Sequence, residues 1–270
     1  YPIVRGIPRF VADDRYVASF SFEWNTHART QLDSARDDRM SESTLVTKTG
    51  LTAADVSGKL VLDAGVGAGR FSEVLSRWGA DVVGVDLSFA VEAAQANLGG
   101  RDNVWIAQAD IGALPFRPES FDVIVSIGVL HHTPGTRDYF MKLVPLLKRG
   151  GVIAIWVYPV SPHYVHRSSW VKFVNKLPAR MYYEWCRWYV PWIKHNRERP
   201  IAQVLSQAFE VSNQPYGIEN DILDTFDAYS PRHHFVHSPD EVEGWFRDAG
   251  LIEIGRPGNF ETSVRGRKPG

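Results

Sequence analysis

The amino-acid sequence predicts an α/β fold: a mostly parallel sheet with helices on both faces, interrupted late by a helical insertion. Three observations predict it. Short, continuous apolar runs alternate with helical stretches between residues 60 and 157, as strands buried on both faces do. A glycine-rich turn directly follows the first run. The alternation stops near residue 159 and resumes at residue 238.

Residues 60–64 (Leu-Val-Leu-Asp-Ala) read as a buried strand ending at the glycine turn, and residues 71–78 as a helix. Residues 81–86 are a second strand that ends in an acid. The alanine-rich stretch 87–98 is a helix closed by Gly99-Gly100. Residues 104–107 are a third strand, ending near Asp110, and residues 121–127 a fourth. Residues 138–147 read as helix, stopping at Lys148-Arg149-Gly150-Gly151, with the fifth strand at 152–157. Ser238-Pro239-Asp240-Glu241 is a capping box with proline at the first helical position. That helix runs to Asp248, and residues 251–254 and 262–264 are the last strands. The chain therefore divides into an arm (1–50), a nucleotide-binding core (51–159), a Trp-rich cap (160–237) and the end of the core (238–270).

Composition sets the outer bounds. A chain of 270 residues suits one large domain, or a domain with an insertion. The net charge of −1 gives no long-range attraction to nucleic acid. Cys186 is the single cysteine, which excludes an internal disulfide and a cysteine-built zinc site. No apolar run approaches the ~20 residues of a membrane span, and no secretory signal is visible. The expectation is a cytoplasmic protein.

The glycine turn carries the chemistry. Such a turn admits a ligand close to the backbone and presents helix N-terminal N–H groups. A dinucleotide site needs G-x-G-x-x-G. Here Gly65, Gly67 and Gly69 give G-x-G-x-G, and Arg70 stands where the third dinucleotide glycine belongs. Asp63 lies two residues before the first glycine, and Asp86 ends the second strand. Gln108-Ala109-Asp110-Ile111 follows the third, and the fourth runs into Ser126-Ile127-Gly128-Val129-Leu130-His131-His132-Thr133-Pro134.

In order and spacing, these four segments resemble the motifs of class I S-adenosylmethionine (SAM) methyltransferases. The resemblance implies a Rossmann-like, seven-stranded sheet, SAM as cofactor and S-adenosylhomocysteine as product. It implies cofactor contacts from Asp63, Gly65, Gly67, Gly69, Arg70, Asp86, Leu87, Asp110, Ile111 and Ser126, and no metal. Asp86 would accept from both ribose hydroxyls and Asp110 from the adenine amino group, with Ile111 packed on the ring. Gly6-Ile7-Pro8-Arg9-Phe10, Phe22-Glu23-Trp24-Asn25 and Thr30-Gln31-Leu32-Asp33 resemble the lead-in of a bacterial subgroup. There the arm folds over the cofactor and a short zinc ribbon often comes first. On that resemblance this chain is missing the ribbon, and Trp24 is either an acceptor contact or core.

Methyl transfer from a sulfonium is an in-line displacement that needs an aligned acceptor and no water. A hydroxyl acceptor must also lose its proton, which suits histidine. His131 and His132 follow the fourth strand, at the sheet edge where ligands bind. O-methyltransferases with a similar Leu-His-His segment use a histidine there as base; the other reading is that the pair shapes the loop. A second cluster, Tyr229-Ser230-Pro231-Arg232-His233-His234-Phe235-Val236-His237, precedes the capping box. Tyr158, Trp185, Tyr229, His233 and His234 are candidate acceptor contacts with Trp24, and Asp122 is structural.

Residues 161–200 hold eight Lys or Arg and two Glu, a charge of +6 against −7 for the rest of the chain. Met181, Trp185, Trp188 and Trp192 recur at helical spacing, although Pro191 complicates one unbroken helix. Three readings stay open: a cap packing this aromatic face on the sheet domain, a lid walling an acceptor pocket, or attachment to an anionic membrane surface. The leading function is a SAM-dependent methyltransferase acting on a hydroxyl of a sugar, natural-product intermediate or lipid-linked precursor. The acceptor would be a small molecule, anionic or aromatic, with no nucleic acid. An RNA methyltransferase and a non-catalytic SAM-binding partner subunit are the alternatives.

Overall fold

The computed structural model describes residues 1–11, 28–36, 39–160, 171, 173–174, 176–212, 217–258 and 262–270. A short hairpin, β1 (Ile3–Val4) and β2 (Ile7–Pro8), opens the chain. Helices α1 (Asp33–Arg36), α2 (Met40–Thr49) and α3 (Ala53–Val56) lead to the sheet. Its elements are β3 (Leu60–Ala64), α4 (Arg70–Arg77), β4 (Asp81–Asp86), α5 (Ala90–Leu98), β5 (Val104–Gln108), β6 (Phe121–Ile127), α6 (Thr136–Leu143) and β7 (Leu147–Trp156). The cap follows as α7 (Ala179–His195), α8 (Pro200–Ala208) and α9 (Ile218–Tyr229). The chain returns through α10 (Pro239–Asp248), β8 (Ile252–Gly255) and β9 (Ser263–Arg267).

The seven-stranded sheet has the order β5-β4-β3-β6-β7-β9-β8. The first five strands are parallel, and β9 runs antiparallel to β7 and β8. Strand order reverses at β3, which β4 and β6 flank on opposite sides. That reversal is where an open α/β sheet leaves a ligand crevice.

Alternation along each strand sends neighbours to opposite faces. Val61, Val82 and Val123 pack with Leu45, Val74 and Leu98 of α2, α4 and α5. Leu62, Ile124 and Ile153 pack on the other face with Phe140, Trp245 and Phe246 of α6 and α10. Asp122 is structural, as read: its Oδ2 accepts from the Leu60 N–H at 3.0 Å and from Lys148 at 2.9 Å. Ser238 and Glu241 form the reciprocal capping box that starts α10.

Two expectations need correction. The fifth strand begins at Leu147, not at 152, so Lys148-Arg149-Gly150-Gly151 is strand rather than helix end. Gly150 takes φ 73° and donates its N–H to Lys268, while a register shift against β6 absorbs the irregularity. Second, the Met/Trp stripe of α7 splits, with Met181 and Trp188 facing outward and Trp185 and Trp192 packed against the cap core. The helix buries Tyr182, Tyr183, Cys186, Tyr189, Val190 and Ile193, whereas Met181 and Trp188 are 55% and 62% exposed. Pro191 sits inside this helix without ending it.

The cap has its own core, built by α7 on α9 and closed by Phe209, Phe226 and Tyr229. Lys194 of α7 pairs with the fully buried carboxylate of Asp221 on α9. Cys186 lies within this core, and burial pushes its thiol up to about 12.

Candidate active site

The first half of the crevice is the glycine turn between β3 and α4. Gly65, Gly67 and Gly69 all have positive φ (100°, 52° and 97°), conformations that side chains resist. The turn is fastened to β4: the Gly65 and Val66 N–H groups both donate to the Val85 carbonyl, at 2.8 and 2.9 Å. Gly67 donates to Asp86 Oδ2 at 3.0 Å. Asp86 Oδ1 accepts from the Ser88 N–H and hydroxyl at 2.9 and 2.7 Å. Burial raises the Asp86 pKa against the pull of these bonds. Asp86 as a residue is only partly buried, and its carboxylate oxygens have lone pairs for further bonds at the end of β4.

Leu87 and Ile111 are apolar neighbours of this edge, and Asp110 Oδ1 caps the turn at Ile111–Ala113 through the Gly112 N–H at 2.7 Å. Three predicted cofactor residues are differently engaged. Asp63 is buried and accepts from Ser72 Oγ at 2.7 Å, so it braces α4; burial first, then Asp86, raises it to about 6. Ser126 is fully buried and donates to the Ala64 carbonyl at 2.8 Å, which stitches β6 to β3 instead of facing a ligand. Arg70 donates to Gln31 of the arm at 2.8 Å and lies over Phe71.

The arm closes on the same edge. Asn97 donates to the carbonyls of Ala28 and Ala68, joining arm to glycine turn at 2.7 and 2.9 Å. Arg9, buried, donates to Gln108 Oε1 at 2.9 Å and Glu92 at 3.0 Å, and Phe10 N–H donates to the Gln108 carbonyl. Gln108 in turn donates to the Leu87 carbonyl at 2.8 Å. Arg9 was missed as a site residue; the lead-in Gly6-Ile7-Pro8-Arg9-Phe10 was the available signal. Trp24 lies outside the described residues.

The second half of the crevice stands at the ends of β6 and β7. Leu130–His132 form one tight turn that buries both histidines. The His131 ring stacks on Tyr158 at 3.8 Å, with Trp156 edge-on at 6.1 Å. Its two ring nitrogens have no hydrogen-bond partner among the described residues. Burial, then His132, holds its pKa well below the usual 6.5. Lys48 reaches in from α2 over the Trp156 ring, and burial lowers its pKa.

His132 Nδ1 donates to the His233 carbonyl at 2.8 Å, and burial takes its pKa down to about 3. With the proton on Nδ1, the lone pair is on Nε2. The second histidine cluster roofs this turn. Phe235 N–H donates to the His131 carbonyl, and His237 N–H to the Tyr158 carbonyl. His234 comes within 5.9 Å of His132 and 5.2 Å of Tyr158, ring to ring. His237 donates from Nδ1 to Glu241 at 3.0 Å and accepts at Nε2 from Thr136 Oγ1 at 2.9 Å, which anchors the roof to α10 and α6.

Tyr158, His233 and His234 thus gather at the histidine turn. Trp185 and Tyr229 do not. Trp185 stacks on Tyr189 at 4.2 Å, and Tyr229, fully buried, stacks on Phe209 at 4.4 Å. Both belong to the cap core, because an aromatic face at helical spacing serves packing as readily as binding. Among the described residues, no group of three His, Cys, Asp or Glu could hold a metal ion.

These pieces fit SAM: the partly buried Asp86 at the end of β4, apolar Leu87 and Ile111 beside it, and a backbone-lined turn. Residues 62–155 match the family model described as a methyltransferase domain. Residues 62–155 therefore form a methyltransferase domain, and its cofactor is SAM. The demethylmenaquinone methyltransferase of Clavibacter sepedonicus is 34% identical to it over 110 residues, 40% of this chain and 45% of that protein. The ubiquinone biosynthesis O-methyltransferase of Psychrobacter arcticus is 29% identical over 144 residues, 50% of this chain and 55% of that protein. The chain thus spans about half the length of the curated relatives it matches. A chain of the Haloferax volcanii complex that contains the Trm112 methyltransferase activator shares the fold, with TM-score 0.55 at 17% identity over 96% of this chain and 100% of that one.

Proposed function

We propose that this chain transfers the methyl group of SAM to a hydroxyl oxygen of a small or medium-sized acceptor that carries an aromatic ring, such as a lipid-linked precursor. The single observation that carries this reading is His132, whose Nδ1–H is fixed on the His233 carbonyl so that Nε2 is the acceptor nitrogen. The relatives support a ring-bearing acceptor. One is named for demethylmenaquinone, the other for O-methylation in ubiquinone biosynthesis. His131, Trp156 and Tyr158 supply ring faces beside His132.

When bound, SAM supplies an electrophilic methyl group on a sulfonium. Asp86 would accept from the ribose hydroxyls, Leu87 and Ile111 would flank the adenine, and Asp110 would take its amino group. The glycine turn holds the amino-acid end close to backbone. The roof from His233 to His237 excludes water from the acceptor oxygen, as displacement requires. His132 Nε2 takes the hydroxyl proton. Burial makes it a weak base, and a weak base suffices because the hydroxyl proton becomes far more acidic as the oxygen shares its lone pair with the methyl carbon.

Calorimetric titration with SAM, S-adenosylhomocysteine and NAD tests the cofactor half; binding of the first two and not NAD is expected. Labelled SAM with hydroxylated aromatic acceptors tests the other half, with label expected on oxygen. SAM binding without turnover on any acceptor would favour a non-catalytic partner subunit instead.

A further inference from the structure

We propose that the outward face of the cap docks this chain on an anionic membrane surface. The outward apolar side chains themselves point there. Among the described residues, seventeen large apolar side chains are exposed, and ten of them fall in residues 160–237, a minority of the chain. Five of the ten lie on two neighbouring helices. On α7, Met181 and Trp188 project together, one helical face apart by seven residues, and Trp192 stacks on Trp188 at 6.2 Å. On α8, which packs against α7, Ile201, Val204 and Leu205 occupy positions i, i+3 and i+4 and are 56%, 61% and 38% exposed. The sequence of α8, Pro-Ile-Ala-Gln-Val-Leu-Ser-Gln-Ala, has no charged residue. Exposed apolar side chains grouped on two neighbouring helices mark a contact site.

Charge selects the occupant. Lys176, Arg180, Arg197 and Arg199 are exposed around these helices and make no ion pair with any described residue. Residues 161–200 carry +6 within a chain of net charge −1, so the rest carries −7. A second copy of this face would set cations against cations. A nucleic acid would answer the cations and leave the aliphatic side chains in water. A bilayer of anionic lipid satisfies both, taking Trp, Val, Ile and Leu at the acyl boundary and the cations at the headgroups. The acidic remainder of the molecule is repelled by the same surface, which sets the orientation. No described helix is long and apolar enough to cross a membrane, so the contact is interfacial.

The test is co-sedimentation of the whole chain with vesicles of phosphatidylcholine alone and with phosphatidylglycerol added. Binding is expected only to the phosphatidylglycerol vesicles, and it should weaken as salt rises. The double variant Trp188→Glu/Val204→Glu should lose at least tenfold in vesicle affinity. The triple variant Arg180→Gln/Arg197→Gln/Arg199→Gln should lose roughly fivefold for each cation removed. Both should keep the parent's melting temperature and SAM affinity, since every substituted side chain faces solvent. Absence of binding to the phosphatidylglycerol vesicles overturns the proposal. So does unchanged binding by both variants, or a parent that self-associates through this face without binding vesicles.

Discussion

Val129 occupies the space that a side chain on Gly65 would need: a Cβ built there lies 2.2 Å from Val129 Cγ2. The turn after β3 and the turn after β6 are therefore in direct contact, and the cofactor half of the crevice is registered on the acceptor half. Gly65→Ala combines an overpacked contact with an alanine at φ 100°. The expected cost is roughly 2–5 kcal/mol, about 1–2 from the left-handed backbone and about 1–3 from crowding. Adding Val129→Ala should recover only the crowding part, which denaturant melts of the single and double variants will show.

Asp86→Ala removes the carboxylate that the proposed function assigns to the ribose hydroxyls. SAM affinity should fall by roughly 1.5–3 kcal/mol, the worth of hydrogen bonds to a charged group. Calorimetry gives the number; an unchanged affinity would place the ribose elsewhere.

His132→Ala should lower kcat by about 10²–10⁴, the usual contribution of general-base catalysis, with SAM affinity unchanged. Acidity supplies a second readout. The folded His132 stays neutral down to about 3, whereas an unfolded histidine protonates near 6.5. Between these values the unfolded chain binds the extra proton, so stability present above about 6.5 is lost as pH falls toward 3. His131 acts in the same direction. Asp63 opposes them, because its folded pKa of about 6 lies above its ordinary 3.8 and the folded chain binds the proton there. Asp86, also raised by burial, opposes them too, but three lowered histidines, His131, His132 and His233, outweigh the two carboxyls, and the melting temperature should drop on acidification below 6.5. His132→Gln should flatten that slope.

Arg9 ties the arm to the sheet through Gln108 and Glu92. Arg9→Ala should release residues 1–11 from β5, with amide exchange there rising at least tenfold while that of β6 and β7 is unchanged. Each lost buried, charge-assisted bond costs about 1.5–3 kcal/mol, more than enough to open a terminal segment.

The sheet was legible because its parallel strands are buried on both faces. Runs such as Leu60–Ala64 and Phe121–Ile127 are apolar at most positions on both faces, and Ser238 with Glu241 announces α10 outright. The cap was harder for a physical reason. Helix α7 is apolar on two sides, and periodicity reports that a face exists without saying which one is inside. Tyr182, Cys186 and Tyr189 are inside; Met181 and Trp188 are not. Trp185 was assigned to the acceptor on that periodicity and Tyr229 as part of the histidine segment 229–237, and both pack in the cap core. The Ser126 hydroxyl and the Asp63 carboxylate were assigned to the cofactor because their positions match a motif, but Ala64 and Ser72 claim them locally. Arg9 and Gln108 stand 99 residues apart, a pairing no local pattern announces.

The position of Cys186 gives the cap a native reporter. As the chain's single thiol, it is sealed between α7 and α9 with its pKa near 12, and reagents that attack thiolates reach it only when those helices part. The rate of alkylation of the unmodified protein is thus a clock for cap opening, read with no label introduced. Slowing by SAM, by an acceptor or by vesicles would tell which of them holds the cap shut.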